Sequence, residues 1–186
     1  MSVIRVASRY AKSLLELSVE KGELEAVHQD MNRLLEIAAS NQEFKVMIQS
    51  PVINSDKKLN VLKALFANSA SPITLAFFDI LARKGREGVL LDIAKEFHKQ
   101  YNIQQGIQEA EIVTTFPIDE ELRNSFIGIV KEISGKDKIE LGEKVEEDLL
   151  GGFVLTVGDK QIDESLSSKL NTLQLKFTQN LYEKKY

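Results

Sequence analysis

The sequence predicts a mainly α-helical protein, with an N-terminal six-helix bundle over residues 1–105 and a small α/β domain over residues 106–186. Two changes along the chain predict it. Up to about residue 105 the apolar residues recur every three or four positions, the period of helices that bury one face. From Gly106 they alternate, as in strands. The charge shifts at the same place: residues 1–105 carry 14 basic and 12 acidic side chains, whereas residues 106–186 carry 10 and 16.

Six helices are expected in the first part. One over about 3–20 carries Val3, Val6, Ala7, Tyr10, Ala11, Leu14 and Leu17, and Gly22 ends it as a C-terminal cap. A second over about 23–39 carries Leu24, Val27, Met31, Leu34, Leu35 and Ala38. A short third holds Phe44, Met47 and Ile48 and must stop at Ser50-Pro51, because the residue before proline avoids the helical region. The fourth is expected to open with Ser55 as N-cap and to run through Leu59, Leu62, Leu65 and Phe66. Ser71-Pro72 starts the fifth, with proline at the position where its missing N–H costs nothing. Arg83-Lys84-Gly85 closes it, cations on the negative helix end and glycine at the turn. The sixth, about 88–104, aligns Leu90, Ile93, Ala94, Phe97 and Tyr101.

The second part reads as strand, helix, strand, strand, helix. Residues 108–116 place Ala110, Ile112, Thr114 and Phe116 on one face before Pro117. A helix over about 119–134, capped by Asp119, turns Leu122, Phe126, Ile129, Val130 and Ile133 inward. Ile139, Leu141 and Val145 make a second strand, and Phe153, Leu155 and Val157 a third. Asp163 is expected to cap a last helix bearing Leu166, Leu170, Leu173 and Phe177. Beyond Glu164 the chain is basic, with Lys169, Lys176, Lys184 and Lys185 against Glu183, so this helix is expected beside the acidic sheet region.

Composition narrows the function classes. An apolar content of 43% over 186 residues suffices for a buried core. The densest apolar run, Ile73 to Ala82, is broken by Thr74 and Asp79 and falls short of the ~20 residues of a membrane helix, so no membrane insertion is expected. The N-terminus enters a periodic helix at once, without a signal or transit pattern. Without cysteine there are no disulfides, thiolate nucleophiles or Cys-type metal sites. The acidic second part is a poor partner for phosphate backbones, so nucleic-acid binding is not expected.

Each candidate for chemistry has a plainer reading. His28 and His98 flank apolar helical stripes and do not stand at metal-ligand spacing. Gly151-Gly152 through Gly158-Asp159-Lys160 superficially resembles a phosphate loop. It has five residues between Gly152 and Gly158 where such a loop has four, and they read as a strand. Glu146-Glu147-Asp148 and the Glu109/Glu111 pair lack a nucleophile or histidine partner and read as solvated charge. Arg83-Lys84-Gly85-Arg86 reads as a helix end decorated with cations. No catalytic residue, cofactor or metal is expected.

Two helices are more apolar than one buried face demands. The first shows apolar side chains over an arc of roughly 220°, where about 100° suffices. The fifth carries one stripe of Ile73, Ala76, Phe77 and Ile80 and an opposite one of Leu75, Phe78 and Ala82, with only Thr74, Asp79 and Arg83 polar. Such a helix is either enclosed by the bundle or half reserved for a partner, and two of them side by side form a groove for an amphipathic helix.

Several segments together resemble one family. Val6-Ala-Ser-Arg-Tyr10-Ala11-Lys-Ser-Leu14 is similar to the opening Ala-x-x-Tyr-Ala helix of the delta subunits of F-type ATP synthases, a family that includes the mitochondrial oligomycin-sensitivity-conferring protein. Ser50-Pro51 through Lys57-Lys58 resembles its Pro-x-Ile…Lys segment, and Leu81 through Arg86 the end of its fifth helix. Gly151-Gly152 through Gly158-Asp159, then Ile162-Asp163-Glu-Ser165, resembles its C-terminal signature. Thr156 departs from it, standing where a charged or amide side chain is expected, which leaves the outer contacts of that strand open.

The resemblance implies a non-catalytic adaptor of the peripheral stalk, the alternative being a free-standing helical interaction module. In the implied arrangement, residues 1–105 bind the catalytic head by gripping the N-terminal helix of an alpha chain between helices one and five. Tyr10, Ala11, Leu14, Phe77 and Ile80 are the candidate contacts. Residues 106–186 would hold the C-terminal region of the b subunits, with Gly151, Gly152, Phe153, Ile162 and Leu166 as candidates. The adaptor would thereby keep the head from turning with the rotor and couple proton transport to ATP synthesis, at the cytoplasmic face of the bacterial inner membrane.

Overall fold

The computed structural model describes residues 3–66 and 70–178. The chain divides into two compact units, Met1–Gln104 and Gln105–Tyr186. In the first lie α1 (Val3–Lys21), α2 (Leu24–Ser40), α3 (Gln42–Gln49), α4 (Ser55–Phe66), α5 (Pro72–Arg83) and α6, which follows a 3-10 turn at Glu87–Val89 and spans Leu90–Gln105. The second holds β1 (Gln108–Thr114), α7 (Glu120–Ser134), β2 (Ile139–Val145), β3 (Phe153–Val157), β4 (Lys160–Asp163) and α8 (Leu166–Thr178). The architecture is the expected one, a helical bundle followed by a small α/β unit.

In the first unit Ala7, Ala11 and Leu14 of α1, Met31 and Leu34 of α2, Phe78 and Leu81 of α5, and Ile93 and Phe97 of α6 are all buried. Local chemistry places the ends. Gly22 takes a positive φ of 70° after α1, and Asn41 accepts the Phe44 N–H to cap α3. At α5 the Ser71 hydroxyl accepts from the Ile73 N–H, as its N-cap role predicts. At α4 the expectation fails: the Asn54 carbonyl receives the Lys57 and Lys58 N–H groups, so Asn54 precedes the helix and Ser55 is its first residue. The Ser55 hydroxyl is drawn away to Glu87, to which it donates at 3.0 Å.

That bond belongs to a buried polar knot. Lys58 Nζ lies 3.3 Å from Glu87 Oε1, with the two side chains only 3% and 10% exposed, joining α4 to the turn before α6. Burial pushes the Glu87 carboxyl up, but its own backbone N–H, the Ser55 hydroxyl and the Lys58 ammonium outweigh that and hold it below its ordinary value. Glu87 Oε2 is left without a hydrogen-bond partner.

In the second unit β1 lies between a parallel neighbour, β2, and an antiparallel one, β3, which pairs antiparallel with β4, giving the order β2-β1-β3-β4. The crossover from β1 to β2 is α7, capped by Asp119 Oδ1 accepting from the Leu122 N–H at 2.8 Å. Its Phe126 and Val130 close a core with Ala110, Ile112, Leu141, Leu155 and Val157, and Phe126 meets Phe153 edge-on at 4.9 Å.

Four expectations need correction here. β1 ends at Thr114, whose hydroxyl donates to the Phe116 carbonyl and turns the chain, so Phe116 is exposed. On α7 it is Ile127, not Leu122 or Ile129, that joins Ile133 against the core, because the face turned to the sheet is rotated toward Ile127. Val145, at the far end of the edge strand β2, is exposed. Asp163 ends a fourth strand that alternation over four residues does not reveal, and the cap of α8 is Ser165, whose hydroxyl accepts from the Ser168 N–H. Asp163 accepts from the Ser168 hydroxyl and the Ser165 N–H, bonds that hold its carboxyl below the ordinary range.

The apolar residues of α8, Leu166, Leu170, Leu173 and Phe177, are exposed, and the helix touches chiefly the 3-10 turn Glu147–Leu149. Lys169 pairs with Glu164, while Glu183, Lys184 and Lys185 of the basic tail lie outside the described residues.

The Gly-Gly signature has a steric cause. Leu150, Gly151 and Gly152 have φ of 60°, 152° and 79°, folding the chain so that the Gly151 carbonyl accepts the Leu166 N–H. A Cβ on Gly152 would strike the Glu164 carbonyl oxygen, whereas one on Gly158 (φ 58°) meets nothing nearer than Gln108 Nε2 at 3.5 Å.

Two measurements test these placements. Denaturant unfolding should show Gly152→Ala less stable by about 3 kcal/mol or more, and Gly158→Ala by only the ~1–2 kcal/mol of a left-handed backbone. Lys58→Met should cost about 3–5 kcal/mol by stranding Glu87, and Lys58→Met/Glu87→Leu should recover most of it. Because Glu87 titrates lower folded than unfolded, its contribution is complete above the ordinary carboxylate pKa of about 4.3 and fades as pH falls through its folded value. Recovery in the double variant should therefore be largest at neutral pH; an equal loss in single and double variants would contradict the knot's role.

Candidate partner groove

Two helices of the first unit leave an apolar trough between them. From α1 it is lined by Tyr10, Ser13, Leu14 and Leu17, and from α5 by Ile73, Ala76, Phe77 and Ile80, enclosing about 220 Å³. Each set has the spacing i, i+3, i+4, i+7, one face of a helix. Leu14 and Phe77 are buried at its floor, Phe77 only 7% exposed, while Leu17 and Ile80 stand 42% and 49% in solvent. Tyr10 meets Phe77 edge-on, ring centres 6.5 Å apart. No lining side chain is charged, so the trough recognises apolar surface rather than charge.

Of the residues expected here, Tyr10, Leu14, Phe77 and Ile80 line the groove together. Ala11 does not: it is fully buried in the bundle. Ser13, Leu17, Ile73 and Ala76 complete the lining; Leu17, Ile73 and Ala76 lie on the apolar faces read from the helical spacing, and Ser13, being polar, does not stand out in that pattern. The structure also decides which α5 stripe faces outward. Ile73, Ala76 and Ile80 point to the groove, and Phe78 is buried.

The stripe is held by polar contacts on the flank of α5 about a quarter turn away. Asp30 of α2, 6% exposed, accepts from the Ser71 N–H at 2.9 Å and the Thr74 hydroxyl at 2.6 Å, both on Oδ2. The Ser71 hydroxyl donates to Glu23 at 2.5 Å. On another flank Asp79 pairs with Lys63 of α4 at 2.9 Å.

Several of the other candidates for chemistry have structural employment. His28 Nε2 and His98 Nδ1 are 3.0 Å apart with parallel rings, joining α2 to α6, and His28 also stacks on Tyr101 at 3.7 Å. The Tyr101 hydroxyl donates to Glu25; burial, then that bond and its negative charge, raise the phenol's pKa. The Gly152–Gly158 segment is a strand leading into the β3–β4 hairpin rather than into a helix, which removes the phosphate-loop reading. Glu146 is paired with Lys144.

For the stalk contact the structure scatters the expected residues. Gly151 and Gly152 shape the turn before β3, against the chain at the start of α8; Phe153 packs on Phe126, and Ile162 packs against the core. Gly152 and Leu166 are exposed. Leu166, Leu170, Leu173 and Phe177 form an exposed stripe on α8 within about 60° of arc.

The model of the family described as the ATP synthase delta (OSCP) subunit matches residues 6–177. The chain belongs to that family. It is 40% identical over 181 residues to ATP synthase subunit delta of Cytophaga hutchinsonii, covering 97% of this chain and 98% of the relative. The corresponding protein of Christiangramia forsetii is 35% identical, with 97% of each chain covered. A chloroplastic delta subunit from Ochrosphaera neapolitana is 32% identical over 93% of this chain and 97% of its own. Among solved structures, a chain of the Toxoplasma gondii mitochondrial ATP synthase hexamer matches with a TM-score of 0.75 at 22% identity, covering 92% of this chain and 97% of that one, a likeness of fold. As a member of the ATP synthase delta (OSCP) family, the chain is a structural part of the peripheral stalk and not a catalytic one.

If the groove is half built from the core and half from exposed side chains, substitutions along α5 should separate. Phe77→Ala should cost about 3–5 kcal/mol of folding stability through the cavity it leaves. Ile80→Ala, one turn on, should cost under about 1 kcal/mol. Equal losses in denaturant unfolding would mean that Ile80 is packed rather than open.

Proposed function

We propose that the chain joins the catalytic head of the ATP synthase to its membrane-anchored stalk, the bundle holding the head and the α/β unit holding the stalk. In this reading residues 1–105 bind the N-terminal helix of an alpha chain along the α1–α5 groove, with Tyr10, Leu14, Leu17, Phe77 and Ile80 as its lining. The observation that carries it is the pair of matched i, i+3, i+4, i+7 faces, uncharged and half in water, which fits the apolar stripe of a single helix. Residues 106–186 take the C-terminal region of the b subunits. Support for that comes from the exposed α8 stripe, so Leu170, Leu173 and Phe177 join Leu166 as contacts in place of Gly151, Gly152, Phe153 and Ile162. Held at both ends, the head resists the rotor's torque and proton transport is coupled to ATP synthesis. The bacterial relatives support a place at the cytoplasmic face of the inner membrane.

Burying an exposed Leu or Ile is worth roughly 1.5–3 kcal/mol before the costs of association. Calorimetric titration of the chain with a synthetic alpha N-terminal peptide should therefore show Ile80→Ala or Leu17→Ala weakening binding by about 1–3 kcal/mol. Leu170→Asp/Leu173→Asp should spare that peptide and abolish binding of a fragment taken from the C-terminal end of the b stalk. Failure of the peptide to bind, or binding indifferent to Ile80 and Leu17, would reject the groove as the head contact.

A further inference from the structure

We infer that Asp30 is a positioning residue for the groove: its buried carboxylate selects which of the two apolar stripes of α5 is presented to the partner. The inference rests on the groove reading and adds what sets its geometry.

Apolar packing buries Phe78 and Leu81, each 1% exposed, and leaves an apolar stripe on either hand of that buried face. At about 100° per residue, Ile73, Ala76, Phe77 and Ile80 fall within one arc, and Leu75 and Ala82 lie roughly opposite, so either side offers apolar surface to a neighbour. Of the three polar side chains between Pro72 and Arg83, Arg83 is exposed at the helix end and Asp79 forms a half-exposed pair with Lys63. Exposed pairs of that kind contribute little. Thr74 is different. It is fully buried, points about a quarter turn from the groove stripe, and donates to Asp30 Oδ2 at 2.6 Å. The same oxygen receives the Ser71 N–H at 2.9 Å. Both donors sit in the first turn of α5, so one acceptor fixes where the helix starts and how it is turned. Rotating α5 toward its other stripe would pull the Thr74 hydroxyl off a buried carboxylate and leave that carboxylate short of a donor. Fixing register is the best-attested role of buried polar groups, which add little net stability over apolar replacements of the same shape.

The test uses the full chain and two readouts. One needs no partner: relaxation of the Ile80 methyl signal by a soluble gadolinium chelate reports whether that side chain faces water. The other is affinity for the synthetic alpha N-terminal peptide. Thr74→Val removes the hydroxyl and keeps the shape. The expected result is an Ile80 methyl at least about twofold less accessible or split into two populations, and peptide binding weaker by about tenfold, in a protein that melts within a few degrees of the original. Asp30→Asn keeps an oxygen for both donors and should restore both readouts to within about twofold, whereas Asp30→Leu/Thr74→Val should give the loss in full. If the double variant does not fold, Thr74→Val decides alone. A folded Thr74→Val protein with unchanged Ile80 accessibility overturns the inference. So does one that is merely less stable while its folded fraction binds normally. Absence of peptide binding to the unaltered chain would reject the groove reading instead, and the Ile80 readout would still judge the role of Asp30.

Discussion

The first turn of α5 is the point on which the bundle's geometry depends. Four of a helix's first N–H groups have no partner inside it, and when that end is buried they need acceptors from elsewhere. Here the Ser71 hydroxyl takes the Ile73 N–H, and Asp30 reaches from α2 to the Ser71 N–H and the Thr74 hydroxyl. Glu23, at the start of α2, accepts from Ser71 in turn. Two carboxylates near a helix N-terminus also meet the positive end of its dipole. The turn is thereby tied to α2 at two places, and the groove one and two turns further on inherits that fixed orientation.

A second knot plays a comparable part at the other end of the bundle. Lys58 and Glu87 are too deeply buried to be ordinary surface charges, and the Ser55 hydroxyl is diverted from capping α4 to complete their contact. Removing one member of such a pair is costly although the pair itself adds little over an apolar replacement. Both knots therefore contribute more to uniqueness than to net stability. The α/β unit uses a different device. Its constraint is steric, since the chain passes so close to Gly152 that a side chain there would strike the Glu164 carbonyl. This closure sets the start of α8 and so the direction in which its leucines project.

Features governed by local chemistry were legible in the sequence. Pro51, the Ser71-Pro72 start, the Asp119 cap and the change of period at Gly106 all act over one to four residues and behave as their types dictate. The Gly-Gly pair was legible as a mark of the family, though its cause is a backbone approach that no local pattern encodes. Misread features were those where a distant partner overrode a local preference. Ser55 is a good N-cap in isolation, but a buried carboxylate 32 residues away claims its hydroxyl. Strand β4 is four residues long and exists because β3 offers it an edge. The two histidines, 70 residues apart in sequence, meet only because α2 packs beside α6. Which stripe of α5 faces outward belonged to the same class, since the deciding contact, Asp30 to Thr74, spans 44 residues.

The two candidate surfaces share a physical character that suits a part under load. The groove presents Leu17 and Ile80, and α8 presents Leu170 and Leu173, without a charged side chain lining the groove itself. An apolar contact is non-directional and is not screened by salt, whereas exposed ion pairs are weakened by salt screening over distances of about 8–10 Å. Directional precision must then come from elsewhere, because apolar surface alone would let a bound helix slide or turn. The bundle supplies it from behind, by fixing α5 through buried hydrogen bonds that the partner never touches. Separating the two tasks, grip at the surface and orientation in the core, leaves the surface residues open to substitution within apolar types while the polar residues beneath them are not.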